Sequence, residues 1–342
     1  MKRFTFFLTL LTGIFSSISQ TASAQDKELT LYTQRHYAFD QEVYAKFQEQ
    51  SGIKINVVKA SADELITRLE EEGANTAADL FMATDGGALY RAHSAGLLQP
   101  TTSKTALEKV QPPLREKDAH WVAMTKRARV IVHSKDRVDP SELSTYEALA
   151  DKKWRGRIVV RSSTNSYNQA LLTTIIDADG RDKALEWATA VRKNMARPPQ
   201  GSDRDQVRAI SAGLADVAIV NTYYIGLLET SEEQKDRDTA AAVKIFFPNQ
   251  DGRGTHINIS GLGIVKASKK ADLANQFIDF LLSEEIQKLY PANTFEYPVV
   301  EGTPLSDRQL KWGEFKADDV DFSVLGKLHA DAIKVFNEAG WE

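Results

Sequence analysis

Cysteine is absent from the 342 residues. Without a thiol the chain has no disulfide, no thiolate metal site, no thiol nucleophile and no cysteine on which to carry a lipid anchor. A chain of this length can build its own core without cross-links, so the absence costs no structure. Positive charge is not in excess either: 43 Lys and Arg against 47 Asp and Glu give a formal charge of −4. That balance argues against nucleic acid as a partner and fits a soluble extracytoplasmic protein. Apolar runs of membrane-spanning length are missing. The stretch from Phe4 to Ile14 is too short and wrongly flanked for a span. With Met1-Lys2-Arg3 before it and Ala22-Ser23-Ala24 after it, it has the basic start, short apolar centre and small-x-small end of a cleavable signal peptide over residues 1–24. Its removal takes Lys2 and Arg3 with it, leaves the mature chain two charges more negative, and leaves about 320 residues, enough for two domains. A soluble exported protein that must stay near its cell points to a periplasm. Internal repeats, low-complexity tracts and long linkers are also missing.

What is present is an alternation of strands and helices. Glu28 to Thr33 alternates as a strand and Phe39 to Gln50 has helical spacing. Ile53 to Val58 is a strand, and Ser61 with Glu64 makes a capping box for a helix through Glu72. Asp79 to Thr84 is a strand, followed by Asp85-Gly86-Gly87 and a helix ending near Gly96. The order predicts an α/β fold with mostly parallel sheets flanked by helices. Trp121 to Met124 and Ala128 to Val132 are two apolar runs separated by Thr125-Lys126-Arg127, read as the first crossing into a second lobe. Ala242 to Phe247 is read as the return. The expected division is an N-terminal lobe of residues 25–124 and 250–300 and a C-terminal lobe of residues 125–249 and 301–342, with a ligand cleft between them.

The centre of the reading is Val217-Ala218-Ile219-Val220-Asn221-Thr222-Tyr223-Tyr224, a buried strand that stops on two tyrosines at the start of a helix. Neighbouring side chains of a strand point to opposite faces, whereas two residues in the first turn of a helix can reach one point. Asn221 and Thr222 are good N-cap residues for that turn. Two more strand-to-helix junctions carry tyrosine: Gln34-Arg35-His36-Tyr37-Ala38, and Ser162 to Ser166 followed by Tyr167. Ligands of open α/β sheets bind at such strand ends. If the three junctions line one cleft, four phenols and one imidazole converge. Phenolate is a hard oxygen donor suited to Fe(III), and a bound cation supplies the charge needed to ionise a group of pKa ~10. Four phenolates around Fe(III) leave a formal −1, for which Arg35 or Arg127 is the counter-charge. His93, His120, His133, His256 and His329 are scattered without metal-ligand spacing and receive no function. Asp203 and Asp205 read as helix caps, and Gly252-Arg253-Gly254 as a turn.

These segments resemble the periplasmic ferric-iron-binding proteins of ABC importers, the FutA/FbpA family, and within it the tyrosine-rich FutA-type branch. The likeness is carried by Arg35-His36-Tyr37, Ala78-Asp79-Leu80 with Asp85, Arg127 to Ile131, Ser162 to Gln169, Asn221-Thr222-Tyr223-Tyr224 and Gly254 to Gly261, and extends to Ala339-Gly340-Trp341. It implies a two-lobed substrate-binding protein of the type II periplasmic fold that closes on one Fe(III) and delivers it to an inner-membrane ABC permease. The branch's ligand set falls on His36, Tyr37, Tyr167, Tyr223 and Tyr224, with Arg35 and Arg127 behind them. Asp85 stands near a position where another branch has a glutamate ligand. It is one methylene shorter and is not counted among the ligands. The expectation is a monomer that is not an enzyme. Two rival readings remain at this point: a receptor for a small organic anion or polyamine, which a colourless protein after iron loading would favour, and a secreted hydrolase, for which no Ser-His-Asp or paired-carboxylate pattern is found.

Overall fold

Strand β1 (Glu28–Thr33) pairs in parallel with β2 (Lys54–Lys59) on one side and with β3 (Leu80–Ala83) on the other. These are the pairings the strand and helix order predicts. The computed structural model describes Met1 and residues 27–342; the expected signal peptide and the start of the mature chain lie outside the described residues. The remaining strands are β4 (Leu98–Gln99), β5 (Val122–Ser134), β6 (Ile158–Val159), β7 (Val217–Asn221), β8 (Val243–Phe246), β9 (Ile257–Val265) and β10 (Tyr297–Pro298). The main path runs β2-β1-β3-β9-β5-β7-β6. β6 and β7 are parallel, while β9 and β5 run antiparallel to their neighbours, so the sheet is mixed.

The two apolar runs read as the first crossing into a second lobe belong, from Val122 on, to one 13-residue strand, β5. Thr125, Arg127 and Arg129 alternate along it and are all buried, so these polar side chains form one face of a continuous strand. The first half of β5 pairs with β9 and the second with β7 and β8. β5 therefore ties together two cores. The first gathers residues such as Leu31, Phe81, Leu89, Ile264 and Phe277. Beyond β5 the sheet carries apolar groups on both faces, Trp154, Leu172, Trp187 and Phe336 on one and Val130, Val207, Val220 and Leu228 on the other. The C-terminal tail divides between them, with Phe322 and Leu325 in the first core and Val335, Phe336 and Trp341 in the second.

Local signals hold well at helix starts. Ser61 and Glu64 form the expected capping box of helix Ala62–Glu72, and Asp85 caps helix Gly86–Ser94. Thr222 occupies the N-cap position of helix Tyr223–Glu229 without making a side-chain cap bond. Asn221 closes β7, its side-chain oxygen accepting from Arg129 Nη1 at 3.0 Å. Ser144 to Ala150 holds only a short 3-10 turn, Glu147–Ala150.

Candidate metal centre

All three tyrosine junctions meet at the middle of β5. Tyr37 is the residue before helix Ala38–Ser51. Tyr167 is the second residue of helix Ser166–Asp179, and Tyr223 and Tyr224 open helix Tyr223–Glu229. The hydroxyl of Tyr223 donates to that of Tyr167 at 3.2 Å. The ring of Tyr37 stands edge-on to that of Tyr223 with centroids 6.2 Å apart, and the Tyr223 and Tyr224 rings are 4.2 Å apart. Tyr223 is buried; the other three are half-buried. His36 is exposed and stacks on Tyr37 at 5.5 Å. The four phenols are thus brought together, with the imidazole at their edge.

Burial raises the Tyr223 pKa well above the ordinary value, and the phenols of Tyr167, Tyr37 and Tyr224 add to it. Burial and then the Glu296 carboxylate raise Tyr37 in the same direction; burial and then Tyr167 raise Tyr224. Without a cation these three hydroxyls hold their protons at neutral pH. A cation that binds through their oxygens must displace those protons.

Beneath the phenols lies a layer of buried charge. The guanidinium of Arg35 is 4.6 Å from the Tyr37 ring centre. Those of Arg127, Arg129 and Arg161 are 5.2, 5.8 and 5.6 Å from that of Tyr167. Arg35 pairs with Asp40 and Glu296, each at 3.0 Å, so its charge is already answered. Arg129 and Arg161 share Asp203, each at 3.4 Å. Asp203 was expected as a cap. Ser202 and Asp205 form that cap instead, and Asp203 is fully buried as an ion-pair partner. Arg127 is in no ion pair among the described residues; it donates to the Thr84 carbonyl and to Ser260. Burial opposes its charge; Tyr167 and Tyr223, once ionised, together with Glu296 outweigh burial and raise its pKa. Four cations thus face three carboxylates around the phenols, a formal surplus of one positive charge.

Arg129 also sets the geometry of Tyr167 and Tyr223. It donates to Asn168, the neighbour of Tyr167, at 2.6 Å and to Asn221, two residues before Tyr223, at 3.0 Å. One side chain therefore fixes two junctions against each other. Glu296 is placed from a distance: it accepts from Arg35 and from Thr125 at 3.0 Å. Neither Arg129 nor Glu296 stands out in the linear sequence as a site residue; the available signal is an arginine repeated every second position inside an apolar strand. Asp85 has both oxygens engaged, by the Ala88 amide and the Asn258 side chain. A polar cavity of about 400 Å³, lined by none of the four tyrosines, lies between Gln34, Asp85 and Arg91 on one side and Arg161, Asn165 and Ser166 on the other.

The spacing of the remaining histidines suggests no cluster, yet the fold brings the rings of His93 and His120 to 4.3 Å, with Glu116 between their nitrogens. His256 is fully buried, its pKa pushed down to about 3 by burial and by Arg129, Arg253 and Arg127.

Residues 75–323 match the family model for bacterial extracellular solute-binding proteins. The chain is 45% identical to iron uptake protein A1 of a Synechocystis species, over 98% of this chain and 95% of the relative. It superposes with TM-score 0.87 on Trichodesmium FutA (IdiA) in complex with iron and citrate, at 45% identity, covering 92% of this chain and all of that one. A ferric binding protein from Campylobacter jejuni matches at TM-score 0.88 and 44% identity, again over 92% of this chain and all of the other.

Proposed function

We propose, given that the chain belongs to the family of bacterial extracellular solute-binding proteins, that it captures Fe(III) between its two lobes and hands it to an ABC permease for uptake. Its relatives are iron-uptake and ferric-binding proteins, and the gathering of four phenols from three separate junctions is the observation that carries the reading. The ligands are Tyr37, Tyr167, Tyr223 and Tyr224, with His36 turning in from the exposed edge as a further donor. Arg127 is the counter-charge: four phenolates and Fe(III) carry a formal −1, which the surplus positive charge below them offsets. Arg35, already paired with two carboxylates, holds Tyr37 in place.

The lobes are assigned as residues 25–124 with 250–300 and residues 125–249 with 301–342, residues 320–325 of the tail packing on the first core. Tyr37 comes from one lobe and the other three phenols from its partner, so the ion selects the closed arrangement by binding it better than the open one. The protein acts in the periplasm after loss of residues 1–24, as a monomeric binding protein without catalytic activity and without affinity for nucleic acid.

Titration with a ferric salt, followed by visible absorption, tests the reading. Wild-type protein is expected to develop the colour of iron–phenolate bonding. The Tyr223→Phe/Tyr224→Phe variant is expected to stay folded and lose that colour. Full colour in the double variant overturns the assignment.

A further inference from the structure

We propose that His93, Glu116 and His120 form a second metal site, on the first lobe, that takes a borderline divalent cation such as Zn(II). His93 lies in the last turn of helix Gly86–Ser94. Glu116 and His120 belong to the tight loop leading into β5, closed by the Glu116 amide donating to the Trp121 carbonyl at 3.1 Å and the Ala119 amide to the Glu116 carbonyl at 2.8 Å. Ala119 within it has φ 60°, a left-handed conformation unfavourable for a residue with a Cβ. That turn brings His120 back over Glu116. Strain of this kind persists where the surrounding structure over-determines it, as at binding sites.

The donors already converge. His120 Nδ1 is 3.0 Å from Glu116 Oε2, His93 Nε2 is 3.9 Å from Glu116 Oε1, and one ligand atom from each residue lies within 4.8 Å of the others. Donors held about 2.0–2.2 Å from a tetrahedral zinc ion stand roughly 3.3–3.5 Å apart, so the 3.0 and 3.9 Å separations, each to a different oxygen of Glu116, lie within about half an ångström of that spacing and side-chain rotation brings the three donors onto one ion. Glu116 is oriented beforehand: its Oε2 also accepts from the amides of Asp118 at 2.8 Å and His120 at 3.3 Å. The carboxylate is mostly buried, with 10% of its side chain exposed. A plain histidine–carboxylate ion pair accounts for His120 but not for His93, whose Nε2 faces Glu116 from beyond hydrogen-bond reach at 3.9 Å. The site opens into a surface cavity also lined by Tyr90, Trp121 and Phe322, which leaves room for a water as fourth ligand.

Two imidazoles and one carboxylate suit a borderline divalent ion, whereas the phenols of the cleft suit a hard trivalent one. The two sites therefore select different metals. A bound divalent ion would join the helix that begins at the cleft, at Asp85, to the loop that feeds β5.

The test is a Zn(II) titration of the mature protein against a chromophoric chelator, with the cleft first loaded with Fe(III). One Zn(II) per chain is expected in wild type. His93→Ala and His120→Ala are each expected to weaken it by at least about a hundredfold, since loss of a supporting partner alone costs 10–100-fold. Glu116→Gln, which keeps the shape of the loop, is expected to weaken it in the same direction. The visible ferric absorption of each variant should match that of wild type, which reports that the variant is folded and keeps the two metals separate. No zinc uptake by wild type, or uptake by the folded His93→Ala and His120→Ala variants with wild-type affinity, overturns the proposal.

Discussion

Arg127 shows how much a single side chain can reveal about what a site awaits. A guanidinium this deeply buried without a carboxylate partner is costly unless another anion arrives, and in the proposed site the phenols around it become that anion when they ionise on the cation. Replacing it with glutamine keeps donors for Ser260 and the Thr84 carbonyl but removes the counter-charge. Arg127→Gln is expected to weaken ferric affinity by about tenfold to a hundredfold, measured by competition with a ferric chelator, with the fold retained. Among the donors, each Tyr→Phe change at 37, 167, 223 or 224 should cost more than His36→Ala, because the imidazole is exposed and meets the cluster only through the Tyr37 ring. An equal or larger loss from His36→Ala would reverse the order of importance argued for these ligands.

At the scale of the element, the site depends on helix starts and on one glycine. Helix Tyr223–Glu229 lies so close to Phe295 that a Cβ on Gly226 would come within 2.4 Å of that ring. Phe295 has φ 58° and is followed by Glu296, which pairs with Arg35. Gly226→Ala should therefore destabilise the protein by about 1–3 kcal/mol through overpacking. It should also weaken ferric binding, because it presses on the tyrosine helix and on Glu296 together; a thermal melt and a ferric titration of the same variant check both. Helix starts are also where the sequence is most informative. The tyrosine junctions and the Ser61–Glu64 capping box are local, since an apolar run ends and a capping or aromatic residue follows within a few positions. The unity of β5 is not local. Thr125-Lys126-Arg127 reads as separating two apolar runs because charged residues rarely lie inside a buried strand, and only pairing with β9 on one half and β7 on the other shows that its alternate residues form the floor of the site. Asp203 is misread as a cap for a related reason: its partners Arg129 and Arg161 are remote in sequence. The meeting of His93 with Glu116 and His120 likewise depends on how the loop folds back on the helix.

For the whole molecule, pH acts through both the fold and the cargo. His256 is neutral in the fold, its pKa near 3, whereas in the unfolded chain it titrates at ~6.5. Between those values the unfolded state binds a proton that the fold refuses. Its contribution to stability is therefore present above about pH 6.5 and is lost on acidification at up to about 1.4 kcal/mol per pH unit. Urea unfolding at a series of pH values should show a flatter acid limb for His256→Gln than for wild type; identical limbs would mean that this histidine does not set acid sensitivity. Cargo binding runs in the same direction. Tyr37, Tyr223 and Tyr224 hold their protons above the ordinary phenol range, so with these three as the proposed ligands ferric capture releases protons and affinity falls as pH drops. Acid thus loosens both the fold and the grip on the ion, and neutral pH favours both.

The most direct measurement is anomalous diffraction at the iron absorption edge from crystals of the ferric-loaded protein. One strong peak per chain is expected within bonding distance of the hydroxyl oxygens of Tyr37, Tyr167, Tyr223 and Tyr224. A peak bonded to none of those oxygens would contradict the account.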